Sequence, residues 1–165
     1  MPEKRTIERA RQDKREGKSP STQAGEFVRE EIDHIREGKH GARSTKQAIA
    51  IGLSKARSAG VKLPAPAKGT TSERTRTSAK QALKRGASHK KPSAKRSRAM
   101  ETVLKHEGHS AASKAALSRQ ARTAAKKRSA SARSASAKQA ARTKGPAERS
   151  AAAKKAARTR ARKSA

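Results

Sequence analysis

The chain has 165 residues, and its 44 Lys and Arg outnumber 13 Asp and Glu, which gives a formal net charge of +31. It contains no cysteine, so disulfides and thiolate metal sites are excluded. Only 16 hydrophobic residues are larger than alanine, and neither Trp nor Tyr occurs. Low hydrophobicity with high net charge cannot offset chain entropy over the whole length. The composition excludes a large core and predicts a small helical module with extensive disorder.

The charge is distributed unevenly along the chain. Residues 1–63 carry 15 basic and nine acidic side chains, whereas residues 64–165 carry 29 basic and four acidic ones. A segment this cationic repels itself, and it is stabilised by binding phosphates and releasing their counterions. Nucleic acid is therefore the expected partner, with anionic lipid second.

Residues 1–20 form a charged N-terminal segment. Its charges alternate at helical spacing, and Ile7 is the only large side chain among residues 3–16. This pattern predicts a solvated, marginal helix that ends at Gly17. The segment lacks the apolar stretch of a secretory signal, so we expect an intracellular protein.

Residues 21–63 show the strongest helical patterns. A first helix is predicted from Ser21 or Thr22 to about Glu37. A second is predicted over 45–59, after a capping box formed by Ser44 and Gln47 and before a C-cap at Gly60. The apolar positions are Phe27, Val28, Ile32, Ile35, Ala48, Ile49, Ile51, Leu53 and Ala56. Together the two helices predict a small hairpin, marginally stable unless it pairs with another copy or a ligand.

The remaining chain is divided into a basic linker, 64–97, and a Lys-, Arg- and Ala-rich tail, 98–165. Pro64, Pro66 and a run of Gly, Thr and Ser favour a linker. In the tail, alanine favours helix while charge repulsion opposes it in free solution. The predicted fold class is therefore mostly α with extensive disorder: a helical hairpin plus a long, low-complexity basic tail that is disordered or becomes helical on a polyanion.

The tail predicts a nucleic-acid-binding site. Lys supplies point charges, and the Arg guanidinium forms two bonds to phosphate oxygens. The tail has no aromatic residue to stack on unpaired bases, so duplex binding without sequence preference is favoured over single-strand binding. The predicted contacts are Lys114, Arg119, Arg122, Lys126, Lys127, Arg128, Arg133, Lys138, Arg142, Lys144, Lys154, Lys155, Arg158, Arg160, Arg162 and Lys163.

The hairpin has two interpretations. As a helix-turn-helix it would use 45–59 as the recognition helix, with Lys46, Gln47, Lys55 and Arg57 as secondary contacts. As a packing hairpin it would leave these side chains solvated. A helix-turn-helix that recognises a DNA sequence needs a third helix to support the other two, and none is evident in the sequence. The five acids of the first helix, which suit a protein contact or the basic tail, are Glu26, Glu30, Glu31, Asp33 and Glu37.

No catalytic or cofactor chemistry is predicted. His106 and His109 lie close in sequence, and His34 and His40 lie near the end of the first helix, but without cysteine a metal site is not expected. Gly17-Lys18-Ser19 lacks the first glycine and the strand of a phosphate loop. The sequence shows no pattern of a nucleophile, a general base and a group that orients the base. We expect neither an enzyme nor a small-molecule substrate.

Two resemblances add to this interpretation. Residues 26–63, above all the run KQAIAIGLSKA at 46–56, resemble a family of small basic bacterial proteins of unassigned function, which implies a bacterial origin and no catalytic residues. Residues 110–165 resemble the Lys- and Ala-rich tails of linker histones and bacterial histone-like proteins, which implies duplex coating and compaction. The winged-helix domain of linker histones is missing, so positioning on a nucleosome is not implied.

The expected function is that of a nucleoid-associated, histone-like protein of the bacterial cytoplasm, whose hairpin adds a weak contact or self-association. Two alternatives stay open at this point: an RNA- or ribosome-associated basic protein, and a disordered stress or solvation protein without a specific target. A membrane partner is not favoured, because the tail lacks an amphipathic helix with bulky apolar anchors.

Overall fold

The computed structural model describes residues 2–88, 93–143 and 145–164. All regular structure in these residues is helical. The α-helices are α1 (Lys4–Arg15), α2 (Pro20–Arg36), α3 (Thr45–Ser58), α4 (Glu73–Ser88), α5 (Ala94–Lys105), α6 (Lys114–Lys127), α7 (Ala130–Thr143) and α8 (Gly145–Ser164), with a 3₁₀ turn at Ser110–Ala112. The chain divides into unit 1, residues 1–120, and unit 2, residues 121–165.

The expectation of extensive disorder is wrong. The residues expected to form a low-complexity, intrinsically disordered tail contain α5 to α8, and those expected to form a linker contain α4. None of the described helices combines the length and apolar character needed to cross a membrane. The reasons for the order differ between the two units.

In unit 1, α2 is the central helix. It contacts α1, α3 and the 3₁₀ turn, and α3 also contacts α4. One apolar cluster joins α1, α2 and α3 through Ala10, Ala24, Phe27, Ala56 and Val61. The other joins α2, α3 and the 3₁₀ turn through Ile32, Ile35, Ala42, Ala48, Ala111 and Ala112.

Alanine forms most of this core. Among the described residues, nine of the 14 buried hydrophobic side chains are Ala. The number of large apolar side chains therefore underestimates what unit 1 buries. A core of small side chains requires the helix backbones to lie close together, since interaxial distance follows the size of the side chains at the contact.

Two glycines show how close the backbones are. A Cβ atom on Gly52 of α3 would lie 2.7 Å from the Cα of Val28 in α2. A Cβ on Gly86 of α4 would lie 2.1 Å from the carbonyl oxygen of Arg57 at the end of α3. Only glycine fits at these crossings.

Helix α1 is not the solvated, marginal helix expected from its charges. Thr6 and Ala10 are buried, and Ile7 packs against the cluster that contains Phe27. Asp13 is also buried and pairs with Lys18 at 2.8 Å. α1 is thus a third helix that holds the α2 and α3 pair.

The ends of α2 and α3 follow local signals. The Ser19 side chain accepts a hydrogen bond from the Thr22 amide, so α2 begins at Pro20, slightly before the expected start. Ser44 Oγ accepts from the Gln47 amide at 3.2 Å. Gly60 adopts φ +92°, and the Val61 amide donates to the Ala56 carbonyl at 3.1 Å, which closes α3 in the manner of a Schellman motif.

The described helical residues of unit 2 have no buried side chain. Their order comes from local effects: alanine has the highest helix propensity, and side chains satisfy free backbone groups at helix ends. Ser129 Oγ accepts from the Ala132 amide at 3.1 Å in the first turn of α7, and Arg133 Nη1 lies 3.5 Å from the Ala125 carbonyl in the last turn of α6. These contributions outweigh the charge repulsion that led to the wrong prediction.

Two glycine substitutions test the close crossing of α2 and α3. We expect Gly52→Ala to lower the free energy of unfolding of unit 1 by about 1–3 kcal/mol, because the new methyl group meets the backbone of Val28. The control is Gly25→Ala in α2, where a Cβ has no neighbour within 4 Å. This change should stabilise by about 0.5–1 kcal/mol through helix propensity. Hydrogen exchange of peptides from α2 and α3 measures both, and equal effects of the two changes would contradict the close approach.

Candidate nucleic-acid interface

Three of the five acids predicted to face a partner are used inside unit 1, whereas Asp33 is half-buried and Glu37 is exposed. Glu26 pairs with Arg9 at 3.4 Å, and Glu30 Oε2 accepts from the Glu3 amide at 3.2 Å. Glu31, which is fully buried, binds Lys55 Nζ at 2.5 Å. These side chains connect α2 to α1 and α3. They therefore do not form an exposed acidic surface for a partner or for the basic tail.

Unit 2 has the opposite balance. Its 45 residues contain 15 Lys and Arg and a single acid, Glu148. The predicted contacts that lie on its helices are Arg122, Lys126 and Lys127 in α6, Arg133, Lys138 and Arg142 in α7, and Lys154, Lys155, Arg158, Arg160 and Arg162 in α8, and all of them are exposed. Lys114 and Arg119, in the part of α6 that belongs to unit 1, are exposed too. Exposed Arg128 lies between α6 and α7, whereas Lys144 and the side chain of Lys163 lie outside the described part of the chain.

Several of these cations lie on the same helix face. Lys154, Arg158 and Arg162 of α8 follow each other at intervals of four residues, which places them in a row with about 6 Å of rise per step. Arg122 with Lys126 and Lys138 with Arg142 repeat the spacing. Like charges at this spacing destabilise a helix by about 0.2–0.5 kcal/mol per pair. Neutralisation by a polyanion would remove that penalty.

Arg128 and Arg133 also have intramolecular roles. Arg128 donates to the Ala132 carbonyl and to Ser136 Oγ, and Arg133 Nη1 lies 3.5 Å from the Ala125 carbonyl. Both arginines therefore help to order the junction of α6 and α7. The charge pattern of the sequence identified them only as phosphate ligands. Hydrogen bonds to nearby carbonyls cannot be predicted from such a pattern.

The predicted secondary contacts on α3 are not assembled as one surface. Lys46 is exposed, whereas Gln47 Oε1 accepts from the Arg43 amide at 2.8 Å. Lys55 is paired with Glu31. Arg57 is buried and donates to the carbonyls of Leu63, at 3.2 Å, and Pro64, at 3.1 Å. Burial lowers the pKa of the Arg57 guanidinium from its ordinary value. Because the side chain is buried and bonded to two backbone carbonyls, we assign it a structural role rather than a contact with a duplex.

A pair of substitutions tests this assignment. We expect Arg57→Met to lower the free energy of unfolding of unit 1 by about 1–3 kcal/mol, because two carbonyl oxygens would then have no donor. Lys46→Met, the exposed control on the same helix, should change it by less than about 0.5 kcal/mol. Hydrogen exchange of α3 peptides measures stability, and duplex binding is measured alongside. Unchanged stability with weaker duplex binding in Arg57→Met would refute the structural role.

Comparison with known proteins adds one similarity. A family of unknown function, DUF6496, matches residues 4–68, which contain α1, α2 and α3 and end before α4. No curated protein and no solved structure matches the chain. The similarity therefore covers less than half of the chain and leaves unit 2 outside it.

Proposed function

We propose that this protein binds duplex DNA without sequence preference and compacts it, as a histone-like, nucleoid-associated protein of the bacterial cytoplasm. The observation that carries the proposal is the charge of unit 2: its sequence has fifteen cations against one acid, and its described side chains are exposed or half-exposed. Such a density of one sign exceeds what solubility requires and marks an electrostatic footprint for a polyanion.

The proposed mechanism is phosphate neutralisation. Lysine and arginine side chains displace the counterions condensed on the duplex, and their release drives binding. Because the cations lie on helices that are already formed, little ordering is needed when DNA binds. Preorganisation of this kind raises affinity by reducing the entropy cost of association.

Sequence independence follows from the side chains that unit 2 lacks. It contains no aromatic residue for stacking and no Asn, and its residues between the cations are mostly Ala and Ser. Contacts to phosphate fix position on a duplex but carry no base information. The expected binding mode is therefore coating, in which several helices neutralise neighbouring phosphates.

The row of cations on one face of α8, Lys154, Arg158 and Arg162, provides the test. The variant Lys154→Gln, Arg158→Gln, Arg162→Gln removes three charges from one face. Its matched control, Lys4→Gln, Arg11→Gln, Lys14→Gln, removes three exposed charges from α1. We expect the α8 variant to lower the slope of log affinity against log salt by about 0.9 for each phosphate that it no longer neutralises, whereas the control leaves the slope nearly unchanged.

Binding to unrelated duplexes and to structured RNA is measured in the same salt series. Equal affinity for unrelated DNA sequences supports the proposal. A flat salt response, a strong preference for one sequence, or tighter binding to RNA at equal phosphate concentration would overturn it, and the last result would favour an RNA- or ribosome-associated protein instead.

A further inference from the structure

Three side chains with metal-binding atoms meet at the end of α2. Glu31 and His34 lie three residues apart on the helix, and His40 lies in the loop that follows it. One carboxylate oxygen of Glu31 and one ring nitrogen from each histidine lie within 4.8 Å of one another. The residue pattern did not predict a metal, because the chain has no cysteine and the acids of α2 suggested contact with a partner.

The Glu31 carboxylate is only partly satisfied. Its side chain is fully buried, and one oxygen, Oε2, binds Lys55 Nζ at 2.5 Å. The other oxygen, Oε1, is buried without a hydrogen bond among the described residues. A buried carboxylate oxygen without a hydrogen bond carries a desolvation penalty, which a bound cation would offset.

His40 faces that oxygen with its Nε2 atom. Its Nδ1 lies 3.1 Å from the carbonyl oxygen of Gly41, which only accepts, so Nδ1 carries the proton. In the neutral ring Nε2 is then an acceptor, and it lies 3.4 Å from Glu31 Oε1. Either a metal ion between the two atoms or a second proton on the ring would stabilise this contact.

The separation of these two atoms fits a zinc ion. Zinc bound tetrahedrally at about 2.0–2.1 Å from each ligand atom holds neighbouring ligand atoms about 3.4 Å apart. Histidine and carboxylate are both common zinc ligands. Glu31 Oε1 and His40 Nε2 already have this spacing.

The surrounding contacts are those that orient metal ligands. His34 Nε2 lies 2.9 Å from Glu3 Oε1. Zinc-ligating histidines ordinarily donate their other N–H to a carboxylate or a backbone carbonyl. Glu3 supplies the first kind of partner to His34, and Gly41 supplies the second to His40. Lys55 holds the non-ligating oxygen of Glu31.

We propose that Glu31, His34 and His40 form a Zn²⁺ site that joins the last turn of α2 to the loop before α3. Three protein ligands leave a fourth position for water or another ligand. The site lies in unit 1 and does not require DNA binding by unit 2.

The test is a zinc titration of the full chain without an affinity tag and without nucleic acid. The titration is run at a pH of about 8, because metal binding competes with protons for the ligand atoms. Competition with a chromophoric chelator gives the affinity and the stoichiometry. We expect one zinc per chain, and a decrease in affinity on the order of 100-fold in His40→Gln and in His34→Gln, because metal affinity is sensitive to ligands and to their supporting partners.

His109→Gln is the matched control, because it removes an exposed histidine that lies outside the cluster. It should bind zinc like the parent protein. Hydrogen exchange of α2 and α3 without zinc shows that each variant is folded, and added zinc should increase protection around residues 31–44 in the parent and in the control only. Substitution by Co²⁺ should give the visible absorption of a tetrahedral ion.

Three results would overturn the site: no saturable zinc binding by the parent, an equal decrease in affinity in His109→Gln, or parental affinity in the double variant His34→Gln, His40→Gln. Any of these would leave His40 and Glu31 as an imidazolium–carboxylate ion pair only. The duplex-binding measurement is separate, so either proposal can fail without the other.

Discussion

The close approach of α2 and α3 is the constraint on which unit 1 depends. Ala48, Gly52 and Ala56 are buried at intervals of four residues along α3, so the small side chains form one stripe that faces α2. With no Cβ at Gly52, the two backbones come near enough for alanine side chains to fill the space between them. Helices α1 and α4 then pack on this pair, again through small residues such as Ala10, Ala82 and Gly86. A chain with few large apolar residues thereby obtains a core.

The same approach places charged groups against partners within the fold. Glu31 is buried beside α3 and pairs with Lys55 through one of its two oxygens, and Arg57 is buried where two carbonyl oxygens accept its hydrogen bonds. Buried charges are tolerated when they are paired and hydrogen-bonded. Removing one partner would leave the other uncompensated, so these side chains bind the helices together as firmly as the apolar clusters do. Glu31 and Arg57 are therefore buried, whereas Lys55 is partly exposed.

The two units use charge in contrasting ways. In unit 1, acidic side chains form ion pairs with basic side chains of the same unit, as Glu26 does with Arg9. Unit 2 has almost no acids with which to do so. Its helices depend on alanine propensity and on serine and arginine side chains at their ends, and its cations repel one another along each face. An anionic partner would relieve this repulsion, which is the physical basis of the proposed duplex binding.

The sequence by itself determined the features that depend on near neighbours or on composition. Serine caps and Gly60 mark the ends of α2 and α3 within a few residues, and the charge difference between the two parts of the chain is visible from counting. Only the tertiary structure decided that α1 is packed, that alanine forms the core, that Arg57 is internal, and that Glu31 meets His40. Periodicity pointed to Ile49 and Ile51 as core residues of α3, yet they are half-buried while Ala48 and Gly52 are buried. The reason is that burial of a small side chain depends on the distance between two helices, and that distance is set by contacts between residues far apart in the chain.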